Sequence, residues 1–132
     1  MKCETPRTAD VMASRHSFAV RPAAPDEPRA YLAPAYTLLF PILSNAAREC
    51  GYALALHGSM ARDLDLIAVP WTEQAVPASD LIQRLITACG GFLHKREAVS
   101  GPELKPHGRL AWTINLGGGP WLDVSVTPRV AS

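Results

Sequence analysis

The stretch from His57 to Trp71 constrains this chain most: a Gly-Ser turn, two aspartates one residue apart, and an apolar run closed by a proline. Leu64 to Val69 has the aliphatic and β-branched content of a strand, and Pro70 ends it. Side chains alternate along a strand, so Asp63 and Asp65 share a face. Their Cα atoms then lie about 6.6 Å apart, at roughly 3.3 Å per residue. Carboxylates this close raise each other's pKa unless a cation sits between them. Two readings are open: a metal site, or a strand start whose acids are solvated or paired with Arg62.

The chain has 132 residues, enough for one domain with a modest core. With 48% hydrophobic and 19% charged residues, it reads as a soluble globular protein. Its net charge of +1 gives no field that would draw it to nucleic acid or to an anionic membrane. Cys3, Cys50 and Cys89 are widely spaced and form no CxxC pair, which argues against a disulfide framework and a zinc cluster. Cys50 and Cys89 fall on apolar helical faces and read as core thiols. Residues 1–30 lack an apolar h-region, and no long apolar run follows, so neither a signal peptide nor a membrane span is expected. A reducing, cytoplasmic setting is the default.

Residues 1–30 hold Pro6, Pro22, Pro25 and Pro28 among mixed charges and show no period. They read as a flexible N-terminal extension. The folded domain is expected over residues 31–132. Ala35, Leu38, Leu39, Ile42, Leu43, Ala46 and Cys50 recur at helical spacing, with Pro41 expected to kink or split the helix and Gly51 to end it. Tyr52 to Leu56 reads as a strand leading to Gly58-Ser59. After the aspartate strand and a loop, Ala78 to Cys89 is a second helix with Leu81, Ile82, Leu85, Ile86 and Cys89 inward, stopped by Gly90-Gly91. Phe92 to Val99 reads as a strand, residues 100–108 as a breaker-rich loop, and Arg109 to Leu116 and Trp121 to Thr127 as a hairpin joined by Gly117 to Pro120. The expected fold is α+β: a mixed sheet of about five strands packed by two main helices.

The last strand, Trp121-Leu122-Asp123-Val124-Ser125-Val126, alternates. Asp123 and Ser125 share a face with Trp121. That face is either simply solvated or holds a third carboxylate opposite Asp63 and Asp65.

These residues carry a resemblance. Gly58-Ser59, Asp63-Leu64-Asp65-Leu66 and an Asp123 between hydrophobic residues resemble the signature of the nucleotidyltransferase superfamily, the polymerase-beta-like palm fold. The likeness spans about residues 34–127, and the string from His57 to Trp71 is similar to small bacterial and tailed-phage members. The resemblance implies that Asp63, Asp65 and Asp123 hold two divalent ions, Mg²⁺ or Mn²⁺. Asp123 would serve the ion that activates an acceptor hydroxyl, and Gly58 and Ser59 would contact the phosphates of a nucleoside triphosphate. Nucleotidyl transfer to an unidentified acceptor is the implied reaction. A non-catalytic binding or regulatory module on the same fold, working with a protein or nucleic-acid partner, is the alternative. One departure weighs for the alternative. Only Met60, Ala61 and Arg62 separate Ser59 from Asp63. The family has a short helix and loop there, whose N–H groups meet the phosphates.

Other residues have two readings each. His57 is a phosphate contact, a base, or a half-buried strand end. Arg62 binds a phosphate or, preferably, neutralises Asp63 and Asp65. Lys95, Arg96, Lys105, His107 and Arg109 make a loosely basic stretch, either reaching a triphosphate or nucleic-acid backbone or only solvated. Trp112 reads as core, while Trp71 and Trp121 flank the site strands and either pack or stack on a base. Gly117 to Gly119 lacks the Lys-Ser/Thr of a P-loop and reads as a turn.

Overall fold

The computed structural model describes residues 33–90, 99–117 and 120–130. The expected extension over residues 1–30, and residues 92–98 of the expected Phe92–Val99 strand, with Lys95 and Arg96, lie outside them. The described elements run α1 (Ala33–Glu49), β1 (Tyr52–His57), β2 (Leu64–Pro70), α2 (Ala78–Cys89), β3 (Val99–Lys105), β4 (Arg109–Asn115) and β5 (Trp121–Val126). The class is α+β, with two helices on a mixed five-stranded sheet ordered β1-β2-β5-β4-β3. β2 and β5 are parallel; the other neighbours are antiparallel. No described helix is long and apolar enough to cross a membrane.

Alternation sets the two faces of the sheet. Leu64, Leu66 and Ala68 of β2, Leu122, Val124 and Val126 of β5, and Trp112 and Ile114 of β4 are buried in one core with the helices. Trp112 is core, as the sequence implies. Cys50 and Cys89 are buried free thiols, and burial pushes the Cys89 thiol up to about 11, which keeps it protonated and unreactive. The residues between the core positions, Asp65, Asp123, Thr113 and Ala111, lie half-buried on the other face.

Three expectations are corrected. First, of the kink or split expected at Pro41, the split does not occur: α1 is one helix with Pro41 inside it. Pro41 is exposed, so its ring lies on the solvent side of the helix. Second, the buried stripe is Tyr36, Leu39, Leu43, Ala46 and Ala47 of α1 with Cys50 just past its end, whereas Leu38 is 77% and Ile42 50% exposed. Ala35 is exposed as well. Tyr36 turns the helix this way because its hydroxyl finds backbone partners inside, described below. Third, Val99 to Lys105 is a strand rather than a loop. Gly101 and Pro102 disguise it. It is an edge strand whose pairing with β4 shifts register between Ser100 and Glu103, which is where a sheet tolerates a proline. Gly101 is needed there, at φ +121°, because a Cβ would lie 2.7 Å from the Ala111 carbonyl oxygen.

Candidate metal centre

The parallel pairing of β2 with β5 sets Asp65 directly beside Asp123. Asp63, one residue ahead of β2, keeps the same parity. One carboxylate oxygen from each of Asp63, Asp65 and Asp123 lies within 4.8 Å of the other two, and all three residues are half-buried. The three acids assigned from the sequence therefore converge. They are hard oxygen donors, the set that suits Mg²⁺ or Mn²⁺.

The electrostatics show the strain of that convergence. Asp123 is pushed up to about 6, first by burial, then by a hydrogen bond with the Asp63 carboxyl and by the charges of Asp63 and Asp65. Thr113 opposes this: its Oγ1 donates to Asp123 Oδ1 at 2.9 Å. Asp65 is raised by burial and by Asp63, and His57 pulls it back. His57 is the cross-strand partner of Asp65 on β1. His57 therefore belongs to the site. Arg62, assigned to the neutralising role, is exposed. Its backbone carbonyl accepts the Tyr36 hydroxyl. His57 is the base whose charge lowers the Asp65 pKa.

Gly58 and Ser59 occupy the turn from β1 to β2. Gly58 has φ +77°, and a Cβ there would run into Asp65 Oδ2. The glycine thus makes room for the Asp65 carboxylate. Ser59 Oγ accepts the Ala61 N–H at 3.2 Å, a local turn bond. Residues 58–63 contain no helix. The backbone anion site that a helix start would provide is not built here.

Two further residues, Tyr36 and Thr113, support the site without belonging to any motif. The Tyr36 hydroxyl donates to the Arg62 carbonyl at 2.6 Å and accepts the Trp121 N–H at 3.3 Å. It clamps α1 to the approaches of β2 and β5, the two strands that carry the acids. Burial raises its pKa, and Asp63, Asp123 and Asp65 add to the rise. No sequence pattern announces that clamp. Thr113 does leave a signal: counting back along the β4–β5 hairpin from Asn115 opposite Trp121 sets Thr113 opposite Asp123.

A cleft of about 260 Å³ opens beside the acids, and His57, Asp65, Asp123, Thr113, Lys105 and Arg109 are among its lining. Trp121, 41% exposed, lies on the acid face two residues before Asp123, whereas Trp71 lies beyond the far end of β2 and lines a separate cavity of about 690 Å³. That position removes Trp71 from the base-stacking role. His107 is exposed on the short turn Pro106–Gly108 and is not among the cleft's lining residues. The chain matches no protein-family model, and no curated protein matches it.

Proposed function

We propose that this chain is a nucleotidyltransferase-fold protein that uses Asp63, Asp65 and Asp123 to hold Mg²⁺ or Mn²⁺ and transfers a nucleotidyl group from a nucleoside triphosphate to an acceptor hydroxyl. The observation that carries the reading is the approach of the three carboxylates to within 4.8 Å. Bound divalent ions would supply positive charge to the phosphate oxygens and acidify the acceptor hydroxyl.

The protein's own residues supply position and proton affinity. Thr113 Oγ1 donates to Asp123 Oδ1 and fixes the orientation of that carboxylate. Without a cation, burial and the neighbouring acids raise the Asp123 carboxyl to about 6; ions held by the three acids would favour its ionised form, the form that could take a proton from an acceptor hydroxyl. In the transfer, the acceptor oxygen bonds to the α-phosphorus, the bond to pyrophosphate breaks, and the hydroxyl proton passes to Asp123 or to water. The sheet holds Asp65 and Asp123 at fixed register, and Tyr36 ties down both strand approaches.

The second reading, a non-catalytic binding module on this fold, is favoured by one feature: the Gly-Ser turn leads into no helix, and Ser59 is engaged by Ala61. Incubation with labelled nucleoside triphosphates and Mg²⁺ or Mn²⁺ separates the two. Label transfer or pyrophosphate release by the wild type, abolished in Asp65→Asn, supports the enzyme. Metal-dependent nucleotide binding without turnover supports the module.

A further inference from the structure

The cleft beside the acids has a cationic end. Arg109 opens β4, and its guanidinium is held from two sides: Nε donates to the Pro106 carbonyl at 3.1 Å, and Nη1 donates to Ser125 Oγ at 2.9 Å. Both acceptors are neutral. They use two of the five N–H donors of the fork and leave the positive charge uncompensated by a carboxylate. The neighbouring Lys105 differs, because Glu103 Oε1 binds its Nζ at 2.9 Å. Ser125 is 8% exposed, a polar side chain inside the sheet whose hydroxyl holds Arg109 in place.

The placement along β5 gives this end a direction. Asp123 and Ser125 point to the same side, about 6.6 Å apart along the strand. Both line the cleft with Arg109. A ligand lying in the cleft thus has Asp65 and Asp123 at one end and, at the other, a fixed guanidinium beside the Lys105–Glu103 ion pair. The Gly-Ser turn offers no helix N-terminus to an anion. Glu103 lines the cleft too and pairs with Lys105, so that among the described lining residues Arg109 is the permanent cation with neutral hydrogen-bond partners only. A planar fork with free donors matches phosphate oxygens two at a time.

We propose that Arg109, positioned by Ser125 and the Pro106 carbonyl, is an anion subsite that takes the outer phosphates of an oligophosphate ligand reaching along β5 from Asp123. The choice of phosphate over other anions rests on the metal-centre reading; the subsite itself rests on the geometry of Arg109.

The test is calorimetric titration of the full chain with inorganic pyrophosphate, with and without Mg²⁺, beside the Mg²⁺-induced shift in melting temperature. Wild type binds pyrophosphate, and Arg109→Gln weakens it roughly ten- to a hundredfold, the range for a lost charge-assisted contact. Arg109→Lys retains the charge but not the fork, and recovers only part of the loss. Ser125→Ala weakens binding less than Arg109→Gln. The Mg²⁺ shift is unchanged in every Arg109 variant, because the acids are intact. Should Arg109→Gln not fold, the comparison rests on Arg109→Lys, which must still bind more weakly than wild type. Equal binding in wild type and the Arg109 variants, or no binding in wild type, overturns the subsite. A Mg²⁺ shift in that case leaves the metal reading standing. No Mg²⁺ shift with Arg109-dependent pyrophosphate binding removes the metal reading and retains the subsite. Citrate binding as tightly as pyrophosphate overturns the assignment to phosphate.

Discussion

Two faces of one sheet obey opposite rules within single strands. In β2, Leu64 and Leu66 are fully buried against the helices, while Asp65 between them faces the cleft. In β5, Leu122 and Val124 are buried and Asp123 between them faces the same cleft. The covered face gains stability by excluding water from aliphatic side chains. The open face gathers three carboxylates that repel each other, a repulsion that a cation between them would relieve. Each strand therefore couples a stabilising layer to a costly one. The core holds the acids closer together than they would sit on a free chain.

The sharpest way to break this comparison is to change adjacent residues. Leu66→Ala opens a cavity in the covered layer and should cost about 2–5 kcal/mol in chemical denaturation. Asp65→Asn, one residue away, should cost nothing in metal-free buffer, because it removes repulsion. Equal losses in the two variants would make Asp65 a structural residue and end the metal reading.

Cation linkage comes next in size. An ion that binds only the folded state stabilises it by about 2.7 kcal/mol at a hundredfold excess over Kd. Mg²⁺ or Mn²⁺ should therefore raise the melting temperature of the wild type, and Asp65→Asn and Asp123→Asn should respond little. An undiminished response in both variants would place the ion elsewhere.

Tyr36 connects the faces, since it is 1% exposed in the core yet its hydroxyl bonds the approaches of both acid strands. Tyr36→Phe removes one hydroxyl and with it the bonds to the Arg62 carbonyl and the Trp121 N–H. The expected loss is about 1–2 kcal/mol. It should be accompanied by a smaller melting shift with Mg²⁺, because the strand approaches loosen. A stability loss with a full Mg²⁺ response would confine Tyr36 to the core.

What the sequence can express follows from this two-faced design. Period-two alternation is a strict code, so the shared side of Asp63 and Asp65 is legible in the residue order alone, while the approach of Asp123 needs the pairing of β2 with β5. The α1 stripe is less so. Its apolar arc from Ala35 to Cys50 is wide enough to be centred in two ways, and the choice falls to a phenol hydroxyl that needs a backbone partner. β3 escapes a sequence reading because Gly101 and Pro102 look like a loop, although an edge strand with a register shift accepts them. Arg62 stands out in the sequence because it adjoins Asp63. His57 is adjacent across the ladder, and that neighbourhood is set by register alone.

The smallest predicted effect concerns protons. Asp123 titrates near 6 in the folded state, above the ordinary 3.8 of an aspartate. A raised carboxyl binds its proton more tightly folded than unfolded. Its contribution to stability is therefore fully present below about pH 4 and is lost as pH rises through about 6. Asp65 is raised as well and acts in the same direction. The acids are half-buried, so solvent screening reduces the effect to a fraction of the roughly 1.4 kcal/mol that each full pKa unit would carry. Other carboxylates contribute their own pH dependence, so the useful quantity is the difference between wild type and Asp123→Asn. In metal-free buffer, wild type should lose stability relative to Asp123→Asn between about pH 4 and about pH 6.5. Saturating Mg²⁺ should abolish that relative loss, because a bound cation favours the ionised acids. Parallel pH profiles for the two proteins, with and without the ion, would show that Asp123 does not feel the other two carboxylates, and the open face would then be an ordinary solvated surface.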